Sequence, residues 1–102
     1  MFIRNTVHVV GKSTNPASVY SEIHFKPTAQ NLYEVIESKK DKLQELFELP
    51  IVWRNPNGTH VGKIERQVNF NDENDKEAGM TWLAETSAKL YDYLKPIVDE
   101  NK

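Results

Sequence analysis

Glu22, His24 and Lys26 are the residues whose types and spacing come closest to a catalytic centre. Hydrolysis of a phosphodiester with bound Mg²⁺ needs an Asp and an acid-x-Lys pair on adjacent strands, where they hold the metal and activate water. Glu22 and His24 are two residues apart, so in a strand they lie on one face and can share a metal. However, the acid-x-Lys position reads His24-x-Lys26, and the first Asp of the chain is Asp41, within a predicted helix. We therefore expect no catalytic residues and keep a degenerate metal-dependent nuclease as an alternative.

The other side chains with chemical potential are scattered along the sequence. Lys63 and Glu65 share a strand face, but the lysine precedes the acid, which reverses the acid-x-Lys order. Residues 72–77 are rich in acids, yet an EF-hand loop needs Gly at its sixth position, which is Glu77 here. The chain has no cysteine, which excludes Cys-type zinc and iron–sulfur sites, and it has no glycine-rich phosphate loop. We expect no metal site and no cofactor. The histidines fall on separate predicted strands without the spacing of metal ligands: His8, His24 and His60.

The charge distribution argues against a nucleic-acid-binding surface. Residues 1–70 carry a net charge of +2 and residues 71–102 a net charge of −4, and the isoelectric point is about 5.9. Proteins that bind nucleic acid usually carry clustered cations and a high isoelectric point. Lys39, Lys40 and Lys42 form the one cluster, and they alternate with acids as on a solvated helix face. They are the candidates for nucleic-acid contact, and we leave direct contact open.

Length and composition indicate one domain. The chain has 102 residues, 38% of them hydrophobic and 27% charged, which fits a single core and one domain over residues 1–102. The first residues lack the apolar run of about 7–15 residues that a signal peptide needs. The chain contains no run of about 18 consecutive apolar residues, the length that would span a membrane. We therefore expect a cytoplasmic protein without membrane contact.

Hydrophobic periodicity predicts two strands and a helix in the first half. Residues 7–10 form a short β-rich run, and residues 19–25 alternate as in a half-buried strand, with Val19, Ser21, Ile23 and Phe25 on one side. Thr28 is the predicted cap of the helix that follows, and Pro50 ends that helix. Its apolar stripe consists of Leu32, Val35, Ile36, Leu43, Leu46 and Phe47.

The second half predicts a hairpin and a long helix. Asn57-Gly58 between the β-rich runs 51–53 and 61–70 is a strong hairpin signal, and Gly62 indicates a bulge. The acids and asparagines of residues 71–75 suit a helix cap, and Pro96 should bend or stop the helix. The predicted buried stripe is Met80, Leu83, Leu90, Leu94, Ile97 and Val98. The predicted fold is α+β, ordered β-β-α-β-β-α, with two helices on one face of an antiparallel sheet.

The order of these features resembles a prokaryotic family known as a domain of unknown function. The resemblance covers residues 18–97. It rests on the strand 19–23, the helix from Leu32 to Phe47, the segment 49–53 around Trp53, Lys63-Ile64, and the helix from Trp82-Leu83 to Pro96. Members of the family are often fused to, or encoded beside, restriction-endonuclease-like modules, and the family is grouped with the PD-(D/E)xK nuclease fold. The resemblance implies a fold and a nuclease-associated setting, and it assigns no reaction.

The aromatic residues of the last helix are the candidates for a binding interface. Tyr91 and Tyr93 lie about 200° apart on a helix, so one of them is partly exposed. Trp82 lies off the predicted buried stripe. Exposed Trp and Tyr are enriched at protein interfaces. We expect Trp82, Tyr91 and Tyr93 to contact a protein partner or a second copy of the chain.

Three functions are compatible with these features. The first is a non-catalytic accessory module linked to DNA restriction, defence or processing, which acts through a protein partner or a homodimer. The second is a small inhibitor of anti-defence type that presents its acids to the basic groove of a nucleic-acid-binding protein. The third is the degenerate nuclease. The acids of the second alternative are Asp72, Glu73, Asp75, Glu77 and Glu85.

Overall fold

The computed structural model describes residues 1–9 and 17–101, which form a sheet with helices on one side. Four antiparallel strands lie in the order β1-β2-β4-β3, and three α-helices accompany them. The predicted α+β class and the order β-β-α-β-β-α are confirmed, with α1 and α2 in the place of one helix. The strands are β1 (Phe2–His8), β2 (Ser18–Phe25), β3 (Val52–Arg54) and β4 (His60–Gln67), and the helices are α1 (Gln30–Glu37), α2 (Lys40–Gln44) and α3 (Glu73–Glu100).

Strand β2 lies between β1 and β4, and its two faces have different surroundings. The predicted apolar side is buried against the helices, which confirms the alternation: Val19, Ser21, Ile23 and Phe25. Ser21 on this side donates a hydrogen bond to Asn5 of β1, and Asn5 in turn donates to Ser87 of α3. The opposite side of the sheet, called the distal face here, carries Glu22 and His24 of β2.

Two buried clusters hold the helices on the sheet. The larger one joins β2, β4, α1, α2 and α3, and the smaller one lies where the end of β4 meets the first turns of α3. The larger cluster is formed by Ile23, Phe25, Tyr33, Ile36, Leu43, Ile51, Ile64, Leu90, Leu94 and Ile97. The smaller cluster is formed by Val19, Val68 and Leu83. Removal of this apolar surface from water is the main force that stabilises the fold.

The first strand and first helix differ from the prediction. Strand β1 begins at Phe2 and ends at His8, so it contains Val7 and His8 of the predicted strand 7–10. Val9 follows the strand, and Val10 lies outside the described residues. The first helix is broken at Ser38 and Lys39. The Ser38 hydroxyl donates to the Val35 carbonyl, and the Lys39 amide donates to the Ile36 carbonyl, three residues back, as in a 3₁₀ turn. Thr28 caps nothing, since it lies in a 3₁₀ turn. Leu46 of the predicted stripe is exposed.

The hairpin between β3 and β4 is confirmed, with a loop longer than two residues. Asn57 and Gly58 have φ values of 54° and 83°, which are the positive values of a type I′ turn. Arg54 pairs with Val61 at the base of the loop. The predicted bulge at Gly62 is wrong, because Gly62 pairs in register on both sides. A Cβ there would lie 2.8 Å from the Trp53 ring, so Gly62 provides space for that ring.

Helix α3 is longer than predicted and continues past Pro96 to Glu100. Its start is confirmed as a capped one, since the Asp72 side chain accepts from the amides of Asn74 and Asp75. Of the predicted stripe, Leu83, Leu90, Leu94 and Ile97 are buried, Met80 is exposed and Val98 is half-buried. Gly79 and Thr86 complete the buried side, because α3 lies close against the sheet.

Candidate functional site

The distal face carries most of the charged strand residues, as alternation along β2, β3 and β4 requires. In the ladder, Glu22 lies opposite Lys63 and His24 opposite Val61, while Arg54 of β3 lies beside Val61. These charged side chains and His24 form a cluster around the sheet centre: Glu22, His24, Arg54, Lys63 and Glu65. The cluster includes Glu22 and His24, the residues that the sequence offered as candidates for metal-dependent chemistry.

Glu22 is the most deeply placed acid of this cluster, with 5% of the residue exposed. Arg54 donates from Nη2 to Glu22 Oε2 at 3.0 Å, and His24 Nε2 lies 3.6 Å from Glu22 Oε1. A nearly buried carboxylate needs such a partner, because desolvation of an unpaired charge is costly. The sequence did not point to Arg54, since the placement of β3 beside β4 is a tertiary feature.

The structure brings together only part of the predicted His24 and Lys26 site. His24 stacks on Phe2 with ring centroids 4.6 Å apart, and its buried Nε2 has no hydrogen bond. Lys26 lies beyond the end of β2 and is exposed. Among the described residues, no ion pair joins Lys26 to Glu22 or His24. Glu22 and His24 are therefore neighbours as predicted, and Arg54 supplies the cation at Glu22.

The second half of the charged cluster is also paired within the fold. Lys63 Nζ lies 3.5 Å from Glu65 and 4.1 Å from the Tyr20 ring centroid. The Ser18 hydroxyl donates to Glu65 at 2.7 Å. A shallow cavity of about 400 Å³ lies beside these residues, with Val52 and Arg54 on its other side.

The remaining histidines lie away from this cluster. His60 pairs with Phe25, so it points to the helices, where its ring stacks on Tyr33 at 3.6 Å. His8 ends β1 opposite Ser18, at the other end of the sheet. Within residues 1–9 and 17–101, no three His, Asp or Glu side chains are grouped so that they could hold a metal ion.

The predicted lysine cluster does not present three equivalent cations. Lys40 donates to the Tyr33 hydroxyl at 2.8 Å and lies 4.6 Å from the Trp53 ring centroid, so its ammonium is engaged. Lys39 and Lys42 are exposed. Direct nucleic-acid contact at this cluster stays a prediction.

A groove between α3 and residues 45–49 joins apolar and acidic side chains. This α3 groove has a volume of about 400 Å³. Its apolar lining includes Leu46, Phe47, Leu49 and Trp82. Its charged lining is three exposed carboxylates and one ammonium, from Glu45, Glu48, Glu85 and Lys89. Residues 45–49 follow the end of α2 at Gln44 and lie beside α3 at this groove.

The three aromatic residues of α3 do not share one surface. Trp82 and Tyr93 are half-buried and pack on the larger cluster, and Trp82 also lines the α3 groove. Tyr91 is 54% exposed. Nine residues separate Trp82 from Tyr91, and at about 100° per residue they point to opposite sides of the helix. An interface role for each stays a prediction.

Two acids at the start of α3 are used within the fold. Asp75 accepts from the Asn69 amide at 2.7 Å and from Arg66 at 3.0 Å. These two bonds, the Asn69 amide first, lower the pKa of Asp75 below its ordinary value. Asp72 is the cap of α3. The sequence placed the cap among residues 71–75 without singling out Asp72, and it gave no sign of the bonds from Asp75 to β4 and to the loop after it.

The sequence of the chain matches a known protein family. The model of the family "Domain of unknown function (DUF4268)" matches residues 4–98. The chain belongs to the DUF4268 family. The match confirms the resemblance to a family of unknown function and extends it to β1. No curated protein and no solved structure matches the chain. Of the helices in the described part of this DUF4268 chain, none is long and apolar enough to cross a membrane.

Proposed function

We propose that the chain is a non-catalytic binding module, connected with DNA restriction, defence or processing, that holds a protein partner in the α3 groove. The observation that carries the proposal is the apolar lining of this groove beside three exposed carboxylates. The resemblance to a prokaryotic family found beside restriction-endonuclease-like modules supports the setting. The occupant we propose is a basic, amphipathic segment of the partner protein.

The chemistry of the groove favours such a segment. The partly exposed rings of Phe47 and Trp82 offer contact area for apolar side chains, and aromatic anchors dominate many interfaces. Glu45, Glu48 and Glu85 offer carboxylates to Lys or Arg of the partner. Lys89 is the one cation of the lining, and its ammonium lies 5.9 Å from the Phe47 ring centroid. The net negative rim attracts a basic partner and repels nucleic acid.

The pairing on the distal face supports a non-catalytic role. A metal-dependent nuclease needs its carboxylates directed at a cation that it can load and release. Glu22 instead directs one oxygen at the Arg54 guanidinium, 3.0 Å away. A charge-assisted pair of this kind holds the carboxylate and repels a second cation nearby.

The acidic-inhibitor alternative has less support. Of its five acids, Asp72 caps α3 and Asp75 bonds to Arg66 and Asn69. Glu85 is the member that lines the α3 groove. The acids therefore do not present one surface that imitates a row of phosphates.

The test is fluorescence anisotropy of a dye-labelled, helical Lys/Leu peptide titrated with the purified chain. We expect saturable binding that weakens with salt. Glu85→Lys should weaken it about tenfold, which corresponds to about 1.4 kcal/mol. Asp92→Lys is the matched control, because it makes the same charge change at an exposed position of α3 outside the groove.

Two outcomes oppose the proposal. Absence of peptide binding at low salt, or equal losses in Glu85→Lys and Asp92→Lys, removes the α3 groove as the site. Mg²⁺-dependent DNA cleavage that Glu22→Gln abolishes removes the non-catalytic role and restores the nuclease alternative.

A further inference from the structure

We propose that a second copy of this chain pairs with the outer edge of β1, in an antiparallel register centred on Asn5. The two sheets then form one sheet of eight strands, with the α3 helices side by side. This inference goes beyond the proposed function and does not depend on the α3 groove, which lies on the other side of α3.

Strand β1 is an edge strand without the usual protection. Among the described residues, β1 pairs with β2 on one side, and no strand lies along its other side. Exposed edges are normally protected by Pro, by Lys or by inward-pointing charges. The seven residues of β1 contain none of the first two, and Arg4 is the single permanent charge.

The register centred on Asn5 gives complementary neighbours on both faces. It places Ile3 opposite the partner's Val7 on the helix side, and Phe2 opposite the partner's His8 on the distal face. Arg4 then lies opposite the partner's Thr6. A register centred on Arg4 would instead place two arginines opposite each other, and like charges directly opposite destabilise a sheet. Val7 is 40% exposed, so it offers apolar surface that the pairing would cover.

The position of α3 fits the same two-fold arrangement. Helix α3 packs on β1 and β2, and the Asn5–Ser87 hydrogen bond places Ser87 near the proposed axis. Strands in a sheet are about 4.8 Å apart, so a helix lying over the β1–β2 pair is about 5 Å from the axis. The two α3 helices are then about 10 Å apart, and packed helices lie roughly 8–10 Å apart.

The side of α3 toward the β1 edge carries an exposed apolar row of Met80, Ala84, Tyr91 and, half-buried, Val98. An antiparallel crossing near Ser87 places Tyr91 against the partner's Ala84, a large residue against a small one. It also places Lys95 within reach of the partner's Glu77. Met1, Tyr91, Lys95, Val98 and Asp99 line a cavity of about 530 Å³ on this side.

The first test uses single cysteines, since the natural chain has none. Directly opposite residues of antiparallel strands have Cα atoms about 4.5–5.5 Å apart, within the ~4.4–6.8 Å that a disulfide allows. Asn5→Cys should therefore form a disulfide-linked dimer under mild oxidation. Thr6→Cys is the control, because in this register its Cα lies about 8 Å from the same residue of the partner. Equal or faster linkage of Thr6→Cys overturns the register.

The second test is sedimentation velocity at concentrations up to about 300 µM, where weak dimers are populated by mass action. Wild type should dimerise, and Val7→Lys should raise the dissociation constant at least about tenfold. Val52→Lys is the matched control, because Val52 is 59% exposed on the other edge strand, β3. A wild type that stays monomeric, or a dimer that Val52→Lys and not Val7→Lys disrupts, overturns the proposal. Peptide binding in the α3 groove is read separately, so either proposal can fail alone.

Discussion

The ion pair between Glu22 and Arg54 holds the one nearly buried carboxylate of the distal-face cluster. The Glu22 side chain is 6% exposed and the Arg54 side chain 58% exposed. Arg54→Ala would leave a nearly buried carboxylate without its main donor. We expect a loss of about 1–3 kcal/mol in the free energy of unfolding, below the value for a fully buried pair because Arg54 reaches solvent.

Urea denaturation measures this loss, with Lys42→Ala at an exposed position as the control. Glu22→Gln in the Arg54→Ala background should recover much of the stability, since it removes the unpaired charge. An Arg54→Ala variant as stable as Lys42→Ala would contradict the structural importance of the pair. It would also leave Glu22 available for other chemistry.

The candidate site could be predicted from sequence only in part. Alternation placed Glu22 and His24 on one face, because strand geometry fixes that relation locally. Arg54 comes from a three-residue strand 32 positions away in the chain, so its contact with Glu22 depends on the sheet order. The α3 groove was also not predictable, since it depends on how residues 45–49, after the end of α2, lie against α3.

At the scale of elements, Asp75 joins the start of α3 to the end of β4. Its pKa is lowered from the ordinary value of 3.8 by the Asn69 amide and by Arg66. A carboxylate with a lowered pKa in the folded state stabilises the fold above the ordinary pKa, and this contribution is lost as pH falls through the folded pKa. We therefore expect Asp75→Asn to lower the urea midpoint at pH 7 and to resemble wild type near pH 2.

Urea titrations of Asp75→Asn at pH 7, 5, 3 and 2 measure this dependence. Asp92→Asn on the exposed side of α3 is the control and should follow wild type at every pH. A deficit of Asp75→Asn that stays constant down to pH 2 would show that the lost bonds, and not the charge, stabilise this junction.

Elements with strong local signals were predicted well, and elements with competing signals were not. The Asn57-Gly58 hairpin and a capped helix start within residues 71–75 follow from backbone geometry and from side-chain bonds to nearby amides. Pro96 removes one hydrogen bond from α3, yet burial of Leu94 and Ile97 on either side holds the helix on the sheet. Local propensity was outweighed there by tertiary packing.

At the scale of the whole molecule, α3 separates two candidate surfaces. The α3 groove with Trp82 lies on one side, and the exposed row with Tyr91 lies on the other, beside β1. A dimer formed through β1 therefore leaves both grooves open, and a basic partner can meet two of them. Two linked sites raise the overall affinity for a divalent partner without new contacts.

The measurement that tests the central claim most directly is fluorescence anisotropy of labelled single- and double-stranded DNA beside the labelled Lys/Leu peptide, at low and moderate salt. We predict that the peptide binds and that neither DNA binds, because the groove is acidic and Lys40 is engaged by Tyr33 and Trp53. Tight, salt-sensitive DNA binding that is lost on neutralising Lys39 and Lys42 would contradict a module that acts through protein contacts.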